Sequence, residues 1–179
     1  MLDAERSVLL VVDVQEKLFR VAFKREKLVD NLQRLIKGIQ VLEVPVLLTE
    51  QYPQGLGPTI KEITLLLTNI KPIPKTSFSC CGDGAFLKEL EKLDRRQVLI
   101  SGIESHVCVY QTAADLICSG YEVHVVSDAI SSRTEENREI GLKMMGRLGA
   151  NLTSTEAVLF ELLKVAGGDK FKAISQIVR

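Results

Sequence analysis

The chain has 179 residues, 46% hydrophobic and 26% charged, and its 23 Lys plus Arg balance 23 Asp plus Glu to a net charge of zero. That size and composition fit one domain, residues 1–179, with a substantial core. The zero balance and scattered basic residues argue against a nucleic-acid partner, which needs excess positive charge, and no apolar run approaches the ~20 residues of a membrane span.

The chain opens with MLDAERSVLLVVD, which enters an apolar run behind acidic residues and lacks the features of a secretory signal or transit peptide. The cysteines Cys80, Cys81, Cys108 and Cys118 have no C-x-x-C spacing and are expected to be reduced. These features predict a cytoplasmic protein. Ser7–Val14 is an apolar, β-branched run that suits a strand buried on both faces. Leu28, Leu32, Leu35, Ile36 and Ile39 predict a helix over Lys27–Leu42, and Val44–Glu50 a second buried strand. A helix is then expected from Pro58, with the proline in its first turn. Prolines disfavour helix in the extended piece Ile70–Thr76.

Helix Gly84–Leu93, strand Gln97–Gly102 and helix His106–Ser119 follow, the last ended by Gly120. EVHVVSDA reads as a fifth strand, Glu135–Leu148 as a helix closed by Gly149, and ANLTS as a sixth strand. Helices are expected from Thr155 to about Ala166 and over Lys170–Ile177. This alternation predicts an α/β fold: a three-layer α/β/α sandwich around a mostly parallel, about six-stranded, Rossmann-like sheet. Ligands of such sheets gather at the carboxyl ends of the strands.

Three chemically active side chains stand at those ends. Asp13 follows the first strand, Lys75 ends the third, and Cys108 comes one tight turn after the fourth. Ser105 suits an N-cap, which places Cys108 in the first turn of a helix, where backbone N–H groups and the dipole favour a thiolate. An ammonium nearby would lower the thiol pKa further, and a carboxylate in reach could take its proton. The pattern alone fits a buried core cysteine as well as a nucleophile. Cys118, near the end of the same helix, reads as core.

The ordered set LLVVDVQ, KTSFS, VLISGIESHVCVYQTAADL and VHVVSDAISSR resembles the isochorismatase-like cysteine hydrolases, a family that includes nicotinamidases and other small-amide hydrolases. The segment LLTEQYPQGLG is most similar to the branch of isochorismatase domain-containing proteins. The resemblance implies Cys108 as nucleophile, Asp13 as general base and later acid, and Lys75 as the charge that favours the thiolate. It also implies a cis peptide between Ile103 and Glu104, with the Glu104 and Cys108 N–H groups as oxyanion donors. Glu104 departs from the small residue of nicotinamidases; a salt bridge, a narrowed pocket and a surface charge all fit it.

Nicotinamidases bind a divalent metal through an Asp-x-His element after strand two and a further His. Here TEQYPQGLG has neither His nor Asp, and His106 and His124 form no ligand pair. No metal and no cofactor is therefore expected. His124 reads as a core or edge histidine, and His106 as a pocket-lining candidate. Phe19, Gln51, Tyr52 and Phe78 are further candidate substrate-binding residues. QGLGPT offers Gly-x-Gly but lacks the third glycine of a dinucleotide fingerprint, the vicinal Cys80–Cys81 pair reads as reduced, and Asp128, Ser131 and Ser132 read as loop capping before the helix at Glu135. The reading that results is a metal-independent cysteine hydrolase of a small carboxamide or related acyl compound, working through a thioester as a homo-oligomer with contact surfaces after Gly149. Two alternatives are a silent binding or scaffold protein of the same fold, and a thiol-based redox protein using Cys108 with Cys80 or Cys81.

Overall fold

The SVLLVV run is buried at every position, as a strand covered on both faces requires. A computed structural model describes residues 1–179. Its strands are β1 (Ser7–Val12), β2 (Val46–Gln51), β3 (Ile73–Lys75), β4 (Gln97–Ile103), β5 (Glu122–Ser131) and β6 (Asn151–Thr153). They form one sheet in the order β3-β2-β1-β4-β5-β6, with every neighbouring pair parallel. The helices are α1 (Glu16–Arg20), α2 (Arg25–Val41), α3 (Pro53–Leu56), α4 (Lys61–Thr64), α5 (Gly84–Leu93), α6 (Tyr110–Cys118), α7 (Glu135–Arg147), α8 (Thr155–Leu163) and α9 (Gly168–Ile177).

Successive β1 side chains face opposite layers. Leu9 and Val11 pack with Leu32, Leu35 and Ile39 of α2 and Val158 and Leu159 of α8. Val8, Leu10 and Val12 pack with Phe86 of α5, Ala113 and Leu116 of α6, and Met145 of α7. This is the expected α/β/α sandwich. The strand order reverses between β1 and β4, so the ligand crevice of such a sheet opens at their carboxyl ends. No helix is long and apolar enough to cross a membrane.

Several elements differ from the pattern. The helix expected from Pro58 shrinks to the single turn of α4, because tertiary bonds claim the residues before it. Pro58 O accepts from Glu16 N, Thr59 bridges Gln15, and Thr59 N and Oγ1 both donate to Glu50 Oε1 at 2.7 Å. α1 and α3 were not expected; each is too short to show a 3.6-residue period. Cys118 is exposed rather than core. Asp128 caps α8, accepting from Thr155 N and Oγ1 at 2.8 and 2.9 Å, whereas Thr134 caps α7. His124 is buried and pairs with Glu122 Oε1 at 2.9 Å.

Candidate active site

Asp13 leaves β1 in a left-handed conformation, φ 51°. Its neighbour across the crevice is Gly102 of β4, paired with Val12. A Cβ on Gly102 would lie 2.0 Å from Val12 O, at φ +112°, so only glycine lets these two strands approach. Asp13 is fully buried and satisfied from two sides. Thr49 Oγ1 donates to its Oδ1 at 2.8 Å, and Lys75 Nζ donates to its Oδ2 at 2.7 Å. Lys75 belongs to the edge strand β3, two strands away from β1, and reaches Asp13 across β2. Gln51 Oε1 at 2.7 Å, Phe78 O at 3.1 Å and Ser77 O at 3.2 Å complete the acceptors around the ammonium. Both members of this ion pair have side chains that are 0% exposed.

Cys108 lies in a π-helical turn, Ser105–Val109, that leads into α6. The Ser105 side chain does not cap this turn; its Oγ pairs with Ser132 Oγ at 2.7 Å. The thiol is close enough to Asp13, Lys75 and Cys80 for their charges to act on it. Its titration is the opposite of the sequence expectation. Burial pushes it up to about 12, the Asp13 carboxylate adds to the rise, and Lys75 only partly opposes it. The resting nucleophile candidate is therefore a thiol beside a carboxylate–ammonium pair, because desolvation outweighs the turn's dipole.

Cys80 is likewise pushed up to about 12 and Cys81 to about 11, both chiefly by burial. A thiol with a raised folded-state pKa contributes stability that is complete below its unfolded pKa of ~8.5. That stability is lost as pH rises toward 11–12, because the unfolded chain releases its protons first. Urea unfolding should accordingly show stability falling between pH 8.5 and 11, and replacing Cys80 with serine should flatten the fall. A native slope no steeper than that of the variant would contradict these titrations.

The turn that carries Cys108 is held from outside. Ser132 Oγ accepts from Ser105 N at 3.1 Å and contacts His106 Nδ1 at 3.0 Å. Arg133 donates from N at 3.1 Å and from Nε at 3.0 Å to Glu104 Oε1, so the salt bridge is the role Glu104 takes. The Ile103–Glu104 peptide is cis. α7 presses on the turn through Gly141, where a Cβ would lie 2.6 Å from Ser105 C and O and 2.8 Å from His106 N. Because those atoms are backbone, Gly141→Ala should destabilise the protein by about 1–3 kcal/mol in urea titrations, as overpacking does. Gly84→Ala, with nothing within 4 Å of its Cβ, is the neutral control. Equal stability of the two variants would show that the turn yields freely.

Asp13, Lys75 and Cys108 come together from three strand ends. The other candidates divide. Gln51 is buried and committed inside the protein: its Oε1 accepts from Lys75, its Nε2 donates to Thr76 O at 2.7 Å, and its N donates to Gln15 Oε1 at 2.7 Å. It clamps Lys75 rather than walling a pocket. Phe19 packs on the α2 side of the sheet and lines a separate surface cavity with Glu16, Arg20 and Lys61. Tyr52 and Phe78 are exposed beside the Lys75 loop, with Tyr52 N donating to Lys75 O at 2.8 Å. His106 stays half-buried against Ser132.

No group of three His, Cys, Asp or Glu side chains converges in a way that could hold a metal ion. Sequence reasoning missed Thr49, whose Oγ1 accepts from Cys80 Sγ at 3.7 Å. The available signal was a hydroxyl at the end of the apolar VLLTEQ strand.

The family model of the isochorismatase domain matches residues 7–157. Isochorismatase domain-containing protein 2 of Danio rerio is 39% identical over 177 residues, covering 99% of this chain and 89% of that protein. The solved structure of MAR1 ribonuclease from Caenorhabditis elegans superposes with a TM-score of 0.93 at 36% identity, covering 99% of this chain and 91% of that one. The YcaC gene product of Escherichia coli, described as an octameric hydrolase of unknown specificity, shares the fold. Its TM-score is 0.93 at 24% identity, over 98% of this chain and 88% of that one. With the domain model spanning all six strands and such identity persisting along the whole chain, this protein belongs to the isochorismatase domain family.

Proposed function

We propose that the protein is a cysteine hydrolase that cleaves the C–N bond of a small carboxamide, or the bond of a related acyl compound, through a thioester on Cys108. Asp13 takes the thiol proton as the sulfur attacks the carbonyl carbon and forms the C–S bond. The thiolate that develops is paired with Lys75. The C–N bond then breaks, and Asp13 returns the proton to the leaving nitrogen. Water attacks the thioester, gives a proton to Asp13 and releases the acid; that proton returns to the Cys108 sulfur as the C–S bond breaks. No step calls on a metal. The Glu104 and Cys108 N–H groups are the proposed oxyanion donors, and the Glu104 N–H donates to no atom of the chain.

The observation that carries this reading is the fully buried Asp13–Lys75 pair set against a nearly buried thiol. A core cysteine has no need of such a neighbour, whose burial is unfavourable unless fully paired. We further propose that small-molecule substrates are reached without nucleic-acid or membrane partners, and that copies of the chain associate, a state light scattering reads directly.

Ammonia release from a panel of small primary amides tests the chemistry. Native protein should turn over at least one member, and Cys108→Ala should turn over none. Cys108-dependent cleavage of RNA, the activity named for the Caenorhabditis elegans relative, would replace the amide reading. Turnover unaffected by Cys108→Ala would remove the nucleophile, and inertness toward every substrate would favour the scaffold alternative.

A further inference from the structure

Two buried thiols flank one carboxylate, and a single hydroxyl separates one of them from it. Cys108 is close enough to Asp13 for the carboxylate to act on its thiol. Cys80 Sγ donates to Thr49 Oγ1 at 3.7 Å, with the Thr112 hydroxyl also beside it, and Thr49 Oγ1 in turn donates to Asp13 Oδ1 at 2.8 Å. A threonine hydroxyl has one proton to give. Next to a carboxylate paired with Lys75 that proton goes to Asp13, so Thr49 presents lone pairs to Cys80 and accepts from its thiol. Asp13 Oδ1 is thereby occupied by Thr49 and Oδ2 by Lys75.

We propose that Thr49 is a positioning residue that sets the basicity of Asp13 and reserves this base for Cys108 over Cys80. The inference rests on Cys108 and Asp13 acting as nucleophile and base. In that cycle Asp13 must accept a proton from sulfur and then surrender it to the leaving nitrogen. A donor on Oδ1 stabilises the charged carboxylate and weakens it as a base, which eases the second transfer. Without the donor, a carboxylate with no exposed surface holds the proton it has taken. Cys80 is 0% exposed, so a proton drawn from it would activate a sulfur that meets no substrate. The charged and titratable groups facing Asp13 are Lys75 of β3, Cys80 of the turn before α5, and Cys108.

Thr49→Val removes the hydroxyl at nearly constant shape, Thr49→Ala provides a second hydroxyl-free side chain should the valine variant not fold, and Thr49→Ser restores the hydroxyl. The readout is the rate of iodoacetamide alkylation at Cys108 between pH 5.5 and 9 in the full chain, with each cysteine scored separately by peptide mass. Losing the donor makes Asp13 the stronger base, so more Cys108 rests as thiolate paired with Lys75. Alkylation of Cys108 at pH 7 should rise roughly tenfold, the equivalent of about one pKa unit, and Thr49→Ser should stay within about twofold of native.

Thr49→Val alkylating like native protein, or Thr49→Ser changing as much as Thr49→Val, would overturn the assignment. Asp13→Asn separates the two levels. If it shifts the Cys108 profile while both hydroxyl-free variants do not, only the role of Thr49 fails. If Asp13→Asn also leaves the profile unmoved, the nucleophile–base reading fails with it.

Discussion

Lys75→Met should lower the unfolding free energy by about 3–5 kcal/mol, the range for breaking a buried ion pair from one side. The Asp13 and Lys75 side chains are both 0% exposed, so no water is at hand to solvate the carboxylate that remains. Gln51 Oε1, Ser77 O and Phe78 O lose their shared donor as well, and the buried Gln51 acceptor, left unsatisfied, adds to the penalty. The deficit should depend on pH in a definite direction. An unpaired buried carboxylate favours its protonated form, so its folded-state pKa rises above the unfolded value. A group of that kind contributes most at low pH and loses its contribution as pH rises. The variant's deficit should therefore be smaller at pH 5 than at pH 8 in urea unfolding followed by circular dichroism. A loss below 1 kcal/mol at pH 8 would mean that Lys75 is not the charge that holds Asp13.

Asp13→Asn should separate thiol reactivity from turnover. The Asp13 carboxylate helps hold the Cys108 thiol near 12, and the Lys75 ammonium opposes it. With the carboxylate gone, the ammonium is left facing the sulfur, and the thiol pKa should fall. Iodoacetamide should then label Cys108 faster than in the native protein at pH 7. Hydrolysis should nevertheless fall by about 10²–10⁴-fold, the usual worth of a positioned general acid–base, because nothing returns a proton to the leaving nitrogen. Lys75 keeps Gln51 Oε1, Ser77 O and Phe78 O as acceptors, so this variant should lose less stability than Lys75→Met. Turnover within tenfold of native, or slower labelling of Cys108, would contradict the roles assigned to the pair.

The strands were legible because β1, β2, β4 and β5 each carry a short, largely apolar stretch with β-branched residues at their centre or start: VLLVV, VLL, VLI and VHVV. The boundaries that moved lie where side chains from distant segments compete for the backbone. Thr59 donating to Glu50, in place of a helix begun at Pro58, is one such case. In the site, three strand ends and a family resemblance were enough to single out Asp13, Lys75 and Cys108. The sign of the Cys108 titration was not legible, because a position in a helix's first turn is written in the sequence and the depth of burial is not. Thr49 was hidden, and Gln51 was read as a pocket residue rather than a partner of Lys75, for a related reason. Thr49 reaches Asp13 because β2 lies beside β1, and Gln51 holds Lys75 because that side chain crosses β2; neither periodicity nor spacing encodes the strand order that brings them together.

The two edges of the sheet carry a consequence for solubility. β3 and β6 are three residues long each, and Pro74 at the centre of β3 has no N–H to offer an incoming chain. An open edge is where a folded protein templates strand addition and fibre growth, and short strands with proline are the means by which natural sheets blunt it. The most amyloid-like segment of this sequence, SVLLVV, lies instead between two partners at the centre of the sheet. Precipitation on heating should therefore track global unfolding, which alone exposes that segment, and native protein should not seed it.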